Sequence, residues 1–148
     1  MTPVTPALTP GQVHDLILAR LRAQPNLDVI DAAADQGTEP TYRLDPDGRV
    51  HMTAVLHIGA GVPDPTGETV DDRPTHHTIT WQVTCVGGDS NRCLRAAGKV
   101  RDALTGQRLA PTTGITRELL EGPYTPAQET GPSPSRWVLP VLYRTSNG

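Results

Sequence analysis

At 148 residues the chain fits one domain, yet only 36% of it is apolar and 3% aromatic, with no Phe and with Gly 14 and Pro 15. A small core with much loop follows, of the kind a partner chain can help to stabilise. The net charge of −3 excludes the basic footprint of a nucleic-acid binder, and no polybasic run suits an anionic membrane surface. No apolar run approaches the ~18 residues of a membrane span.

The chain opens on MTPVTPALTP, which reads as an extended Pro/Thr-rich arm over residues 1–9. It lacks the charged and apolar regions of a signal peptide, so synthesis in a cytosol is expected. Thr9-Pro10 is a helix start, with Thr9 as N-cap and Pro10 at the first helical position. Val13, Leu16, Ile17 and Leu21 mark one face of a helix over residues 10–23, which Pro25 ends. LDVIDAA, residues 27–33, reads as a short strand. Asp45-Pro46-Asp47-Gly48 is a turn in which Pro pre-sets φ and Gly supplies a positive φ. Residues 49–58 alternate as a strand. Residues 59–74, GAGVPDPTGETVDDRP, form a long connection, the tip of an extended hairpin.

The return strand covers residues 75–86. Ile79, Trp81, Val83 and Cys85 point one way, and Thr78, Thr80, Gln82 and Thr84 the other. Gly87-Gly88 can take the positive φ of a sharp turn, and Asp89 or Ser90 can cap a helix. On that helix Cys93, Ala97, Val100 and Leu104 share one face and Arg92, Arg95, Lys99 and Asp102 the opposite one. Thr105-Gly106 stops it, with Gly106 suited to a left-handed position. A strand is expected at residues 115–120 and a last one at 136–144, where Pro140 implies an edge or a bulge. The order predicts a single α+β domain over residues 10–145. It has a mostly antiparallel sheet of four to five strands, two helices packed on one face and a long hairpin loop.

Few residues suggest chemistry. His76-His77 after Asp71-Asp72, with His51, His57 and Cys85, is the most metal-like grouping. It matches no zinc spacing, and adjacent His residues in a strand point to opposite faces. Cys85 or Cys93 with His77 or His57 could make a nucleophile pair, but nothing places an orienting group beside it. The ordinary reading is two reduced core thiols, since free Cys is among the most buried residue types. Gly59-Ala60-Gly61 lacks the Lys-Ser/Thr of a phosphate loop. The Arg92/Arg95/Lys99 stripe is either a solvated helix face or a contact with an acidic partner or nucleic acid. No catalytic residue, cofactor or metal ligand is expected.

One stretch carries a resemblance: Trp81-Gln82-Val83-Thr84-Cys85-Val86-Gly87 leading into residues 93–106 and ending Val100-Arg101-Asp102-Ala103-Leu104-Thr105-Gly106. With the helix at 13–22, the strand Ala54-Val55-Leu56-His57-Ile58-Gly59 and the late Trp137, Tyr143 and Arg144, the chain resembles the tail terminator, or tail completion, proteins of siphophages, especially phages of actinobacteria. The resemblance spans most of residues 10–145 through order and spacing. It leaves the arm and residues 121–135 unexplained. It implies a virion structural protein at the head–tail junction: a ring, typically a homo-hexamer, seated on the major tail tube protein. Such a ring stops tube growth, docks a head–tail connector, and passes genome DNA through its lumen without reading sequence. The expected contact residues are Val62, Asp64, Thr66, Glu68, Val70, Asp72 and Arg73 with the arm, and Arg92, Arg95 and Lys99. Two alternatives stand beside this, a connector or neck protein of the same junction and a small metal- or thiol-dependent hydrolase.

Overall fold

The computed structural model describes residues 8–32, 41–58, 62–63, 77–119 and 125–147. The fold is α+β, a sheet with both helices on one face. Helix α1 runs Pro10–Arg22. Thr9 Oγ1 accepts from Gln12 N, and the Gln12 side chain accepts from Thr9 N, closing a capping box ahead of Pro10. Val13, Ile17 and Leu21 are buried as the spacing predicts, with Leu18 beside them. The helix stops one residue short of expectation, with Ala23 as C-cap and Asn26 at φ 59 turning the chain.

Strand β1, Asp28–Asp31, pairs in parallel with β2, Thr53–Ile58. Parallel neighbours need a crossover, which the intervening chain supplies. Strand β2 starts four residues later than its alternation suggests. The preceding residues form a separate hairpin instead, with Leu44 bridging Val50, Gly48 N donating to Asp45 O, and Gly48 at φ 80. The two-residue β3, Val62–Pro63, pairs with β4, His77–Gly87. Strand β4 runs antiparallel to β2, so residues 59–76 do connect antiparallel strands. Beyond Val62–Pro63 that connection lies outside the described residues, as does the arm over residues 1–7.

Helix α2, Ser90–Leu104, follows with Asp89 as its N-cap. Its stop is as read, Thr105 at the C-cap and Gly106 at φ 76. The glycine pair before it has a different reason from the one expected. Neither Gly87 nor Gly88 has a positive φ. They are small because backbone passes against them: a Cβ on Gly87 would meet Cys93 N at 2.5 Å, and one on Gly88 would meet Val50 N at 2.5 Å.

The strand expected at residues 115–120 shrinks to β5, Arg117–Glu118, and a two-residue β6, Ala127–Gln128, lies in the supposed loop after it. Both pair with β7, Trp137–Asn147. Strand β7 is therefore not an edge strand: it pairs with β4 over its full length without a bulge. Pro140 is accommodated by parity. Leu142 and Ser146 accept from Leu119 N and Gly114 N on the side away from β4. Pro140 shares their direction, so its missing donor faces outward between β5 and β6. The sheet order is β1-β2-β4-β7-β5, with seven strands counting the short β3 and β6, so the central path of five lies within the four to five expected.

The helix-facing side carries the core. Ala54 and Leu56 of β2, Ile79, Trp81, Val83 and Cys85 of β4, and Leu139, Val141 and Tyr143 of β7 pack under α1 and α2. Trp81 stacks on Tyr143 with ring centroids 5.6 Å apart. On the other side Val50, Val55 and Val86 make a small cluster beneath the 41–50 hairpin.

Candidate interaction surfaces

The first group of charges lies where the hairpin meets the start of α2. Asp89 Oδ1 accepts from Arg92 N, capping the helix. The Arg92 side chain then reaches three carboxylates: Nε is 3.0 Å from Asp45, and its two terminal nitrogens are 2.7 Å from Asp47 and 2.7 Å from Asp89. The Arg92 hydrogen bond, joined by one from the Arg49 backbone, holds the Asp47 carboxyl below the ordinary carboxylate range. His51, 8% exposed, sits beneath, with Nδ1 2.7 Å from Asp45 Oδ1 and Nε2 2.8 Å from Asn26 O. This network ties hairpin, turn and helix together.

The expected stripe on α2 is thereby divided. Arg92 is spent inside the fold. Lys99 Nζ donates to Pro25 O at 2.6 Å, fastening α2 to the turn after α1. Arg95 is exposed. Of the expected loop contacts, Val62 pairs with Thr78. Asp64, Thr66, Glu68, Val70, Asp72 and Arg73 lie outside the described residues.

The residues considered for chemistry are dispersed. His51 is engaged as above, and His57 is exposed on the sheet side away from the helices. His76 and the side chain of His77 lie outside the described residues. Among the described residues no three His, Cys, Asp or Glu side chains gather as a metal site. Cys85 and Cys93 are adjacent, as their inward positions predict, with Cys93 Sγ donating to Cys85 O at 3.3 Å. Both are unbridged and buried, and burial pushes both thiols up to about 12.

A third polar group seals the far end of α2. Glu118 Oε1 accepts from Arg101 Nε at 2.9 Å and from Thr105 Oγ1 at 2.9 Å, and Thr105 Oγ1 lies 3.0 Å from the buried Tyr143 hydroxyl. With Glu118 on the helix side, alternation sends Arg117 to the opposite face of the sheet.

That face holds the feature the sequence reading missed. Arg117 is directly opposite Arg144 in the β5–β7 register. Both are exposed, and neither has an ion-pair partner among the described residues. They line a shallow groove of about 370 Å³ with Thr78, Ile115 and Ser146. Ile115 is 38% exposed and the nearby Leu119 40%. The alternation of β7 already placed Arg144 opposite Tyr143 in facing. What was not visible was that a two-residue strand would set a second arginine against it.

No protein-family model matches this chain, and no curated protein matches it.

Proposed function

We propose that the chain is a non-catalytic virion subunit: a tail terminator that closes into a ring, typically a hexamer, on the end of the tail tube. In this reading it stops tube growth and joins the tube protein to a head–tail connector, while DNA passes through the lumen. The observation that carries the reading is the side of the sheet turned away from the helices. Beyond the strip under the 41–50 hairpin it exposes Thr80, Pro140, Arg144 and Arg117 beside Ile115 and Leu119. A mixed polar and apolar sheet face is suited to packing against another subunit. The thin core and the tail-terminator-like order of elements support the same assignment.

The thiol-hydrolase alternative is disfavoured by Cys85 and Cys93, whose thiols are buried and driven away from the reactive thiolate. A connector would use the same face, and the position of the ring in a reconstructed virion separates the two. The test of the reading is deletion of residues 61–73 followed by imaging of assembled particles. The expected outcome is tails of irregular length or tails detached from heads. Tails of normal length firmly joined to heads would refute it.

A further inference from the structure

Arg117 and Arg144 oppose each other across one strand pair on one exposed face. Like charges at directly opposite positions destabilise a sheet, and here no carboxylate among the described residues relieves them. Several arginines elsewhere are matched closely, Arg92 with three carboxylates, Arg43 with Asp28 and Arg136 with Glu129, whereas the exposed Arg22 and Arg95 have no ion pair among the described residues but stand singly rather than opposite a like charge. The groove between Thr78, Ile115 and Ser146 thus presents two uncompensated guanidiniums with apolar side chains at its margin. An anionic segment carrying some apolar character fits it.

The sequence holds such a segment. Residues 64–76 contain Asp64, Glu68, Asp71 and Asp72 against one cation, Arg73, with Val70 among them. The segment leaves at Pro63 and returns at His77, which pair with each other at the end of the sheet where the groove lies. We propose that the Arg117/Arg144 groove is the docking site for residues 64–76 of a second copy of this chain. The contact is heterologous: each copy offers its acidic segment to one neighbour and its basic groove to the other, which is how a ring closes. Guanidiniums suit this role because their planar forks take carboxylates bidentately. The proposal rests on the reading of the chain as a ring subunit and names the surfaces that meet.

The test uses the full chain and a synthetic peptide of residues 64–76, so it does not depend on rings forming. Amide chemical shifts are followed as the peptide is added, with the chain dilute enough to be monomeric. The expected result is saturable shifts at Thr78, Ile115, Arg117, Arg144 and Ser146, weakened by added salt. The variant Arg117→Glu/Arg144→Glu should bind at least tenfold more weakly. Asp71→Arg/Asp72→Arg in the peptide should lose binding to the native chain and recover it on the charge-reversed one. Binding that survives the arginine reversal, the absence of any binding, or failure of the paired reversals to recover it would each overturn the proposal. So would duplex DNA binding that depends on both arginines and is not displaced by peptide, since the groove would then be a phosphate surface. If the peptide docks as described but the particles carrying the deletion in residues 61–73 keep normal tails, the groove stands and the terminator reading falls.

Discussion

Replacing Gly87 with Ala tests how closely β4 is joined to α2. The added Cβ would lie 2.5 Å from Cys93 N, 2.6 Å from Arg92 Cβ and 2.7 Å from Arg92 C. Two of these atoms are helix backbone, which cannot swing aside as a side-chain tip can. Carbon contacts become comfortable near ~3.5 Å, so the first turn of α2 has to retreat by about 1 Å. That retreat carries Arg92 away from Asp45 and Asp47, now at 3.0 and 2.7 Å. Overpacking of this sort costs about 1–3 kcal/mol. The reduced freedom of the unfolded chain offsets about 0.4–1 kcal/mol of it. A net loss of about 1–2 kcal/mol lowers Tm by roughly 2–8 °C in a chain of this length. Thermal and urea unfolding followed by circular dichroism read the loss, with an unchanged m-value confirming the same transition. The companion variant is Gly98→Ala, also on α2, where a Cβ meets nothing within 4 Å. It should gain about 0.5–1 kcal/mol from helix propensity alone. Gly87→Ala as stable as the native chain, or both alanines shifting stability the same way, would refute the close-approach argument.

Three further outcomes are expected. Burial works against a charge on His14, but Asp31 at 2.9 Å and Asp15 at 3.2 Å outweigh it and raise the imidazole above its ordinary 6.5. A raised folded value means stabilisation that is complete below the unfolded value and lost as pH rises through the folded one. The stability difference between the native chain and His14→Gln should therefore be larger in mildly acidic than in mildly alkaline urea titrations, and an equal difference at both would count against the tie. Cys85 and Cys93 should label slowly with a thiol reagent in the native chain near neutral pH and rapidly in denaturant; native labelling at the rate of a free thiol would contradict their burial. Arg117→Glu alone turns a like-charged cross-strand pair into an opposite one and should raise Tm, whereas a fall would show that the two side chains do not sense each other.

Where one face had to be buried, the sequence was readable. The alternation of Ile79, Trp81, Val83 and Cys85 and the spacing of Cys93, Ala97, Val100 and Leu104 give the β4–α2 unit with its caps, because strand and helix periods differ and each oily stripe needs a partner. Turn chemistry was equally legible at Gly48 and Gly106, where glycine takes a left-handed backbone without steric cost. The weaker elements were missed or misplaced for a common reason. Strands β3, β5 and β6 are two residues long and exist by pairing with β4 or β7, so no local pattern announces them. The register of β7 decides where Pro140 faces, and register depends on the partner strand. The groove was hidden in the same way. A helical stripe of basic residues is visible from spacing, whereas Arg117 and Arg144 are far apart in the chain and meet only through pairing.

The distribution of charge separates residues that hold the subunit together from those left for others. A core this thin is supplemented at each end of α2 by polar ties: the Arg92 cluster at its start, and Arg101, Glu118, Thr105 and Tyr143 at its finish. Lys99 fixes its middle to the α1 turn. Of Arg92, Arg95 and Lys99, the cations the sequence offers to a partner, Arg92 and Lys99 are thus already committed within the fold and Arg95 is exposed. A like-charged pair without an ion-pair partner among the described residues sits on the sheet, on the side turned away from α1 and α2. Repulsion between Arg117 and Arg144 is tolerable in a monomer because water screens it. It turns into attraction once a carboxylate enters between them. The isolated chain therefore holds a charge arrangement that improves on association, and added salt should weaken its self-association. A chain whose association strengthened with salt would instead be held together by apolar contacts at Ile115 and Leu119.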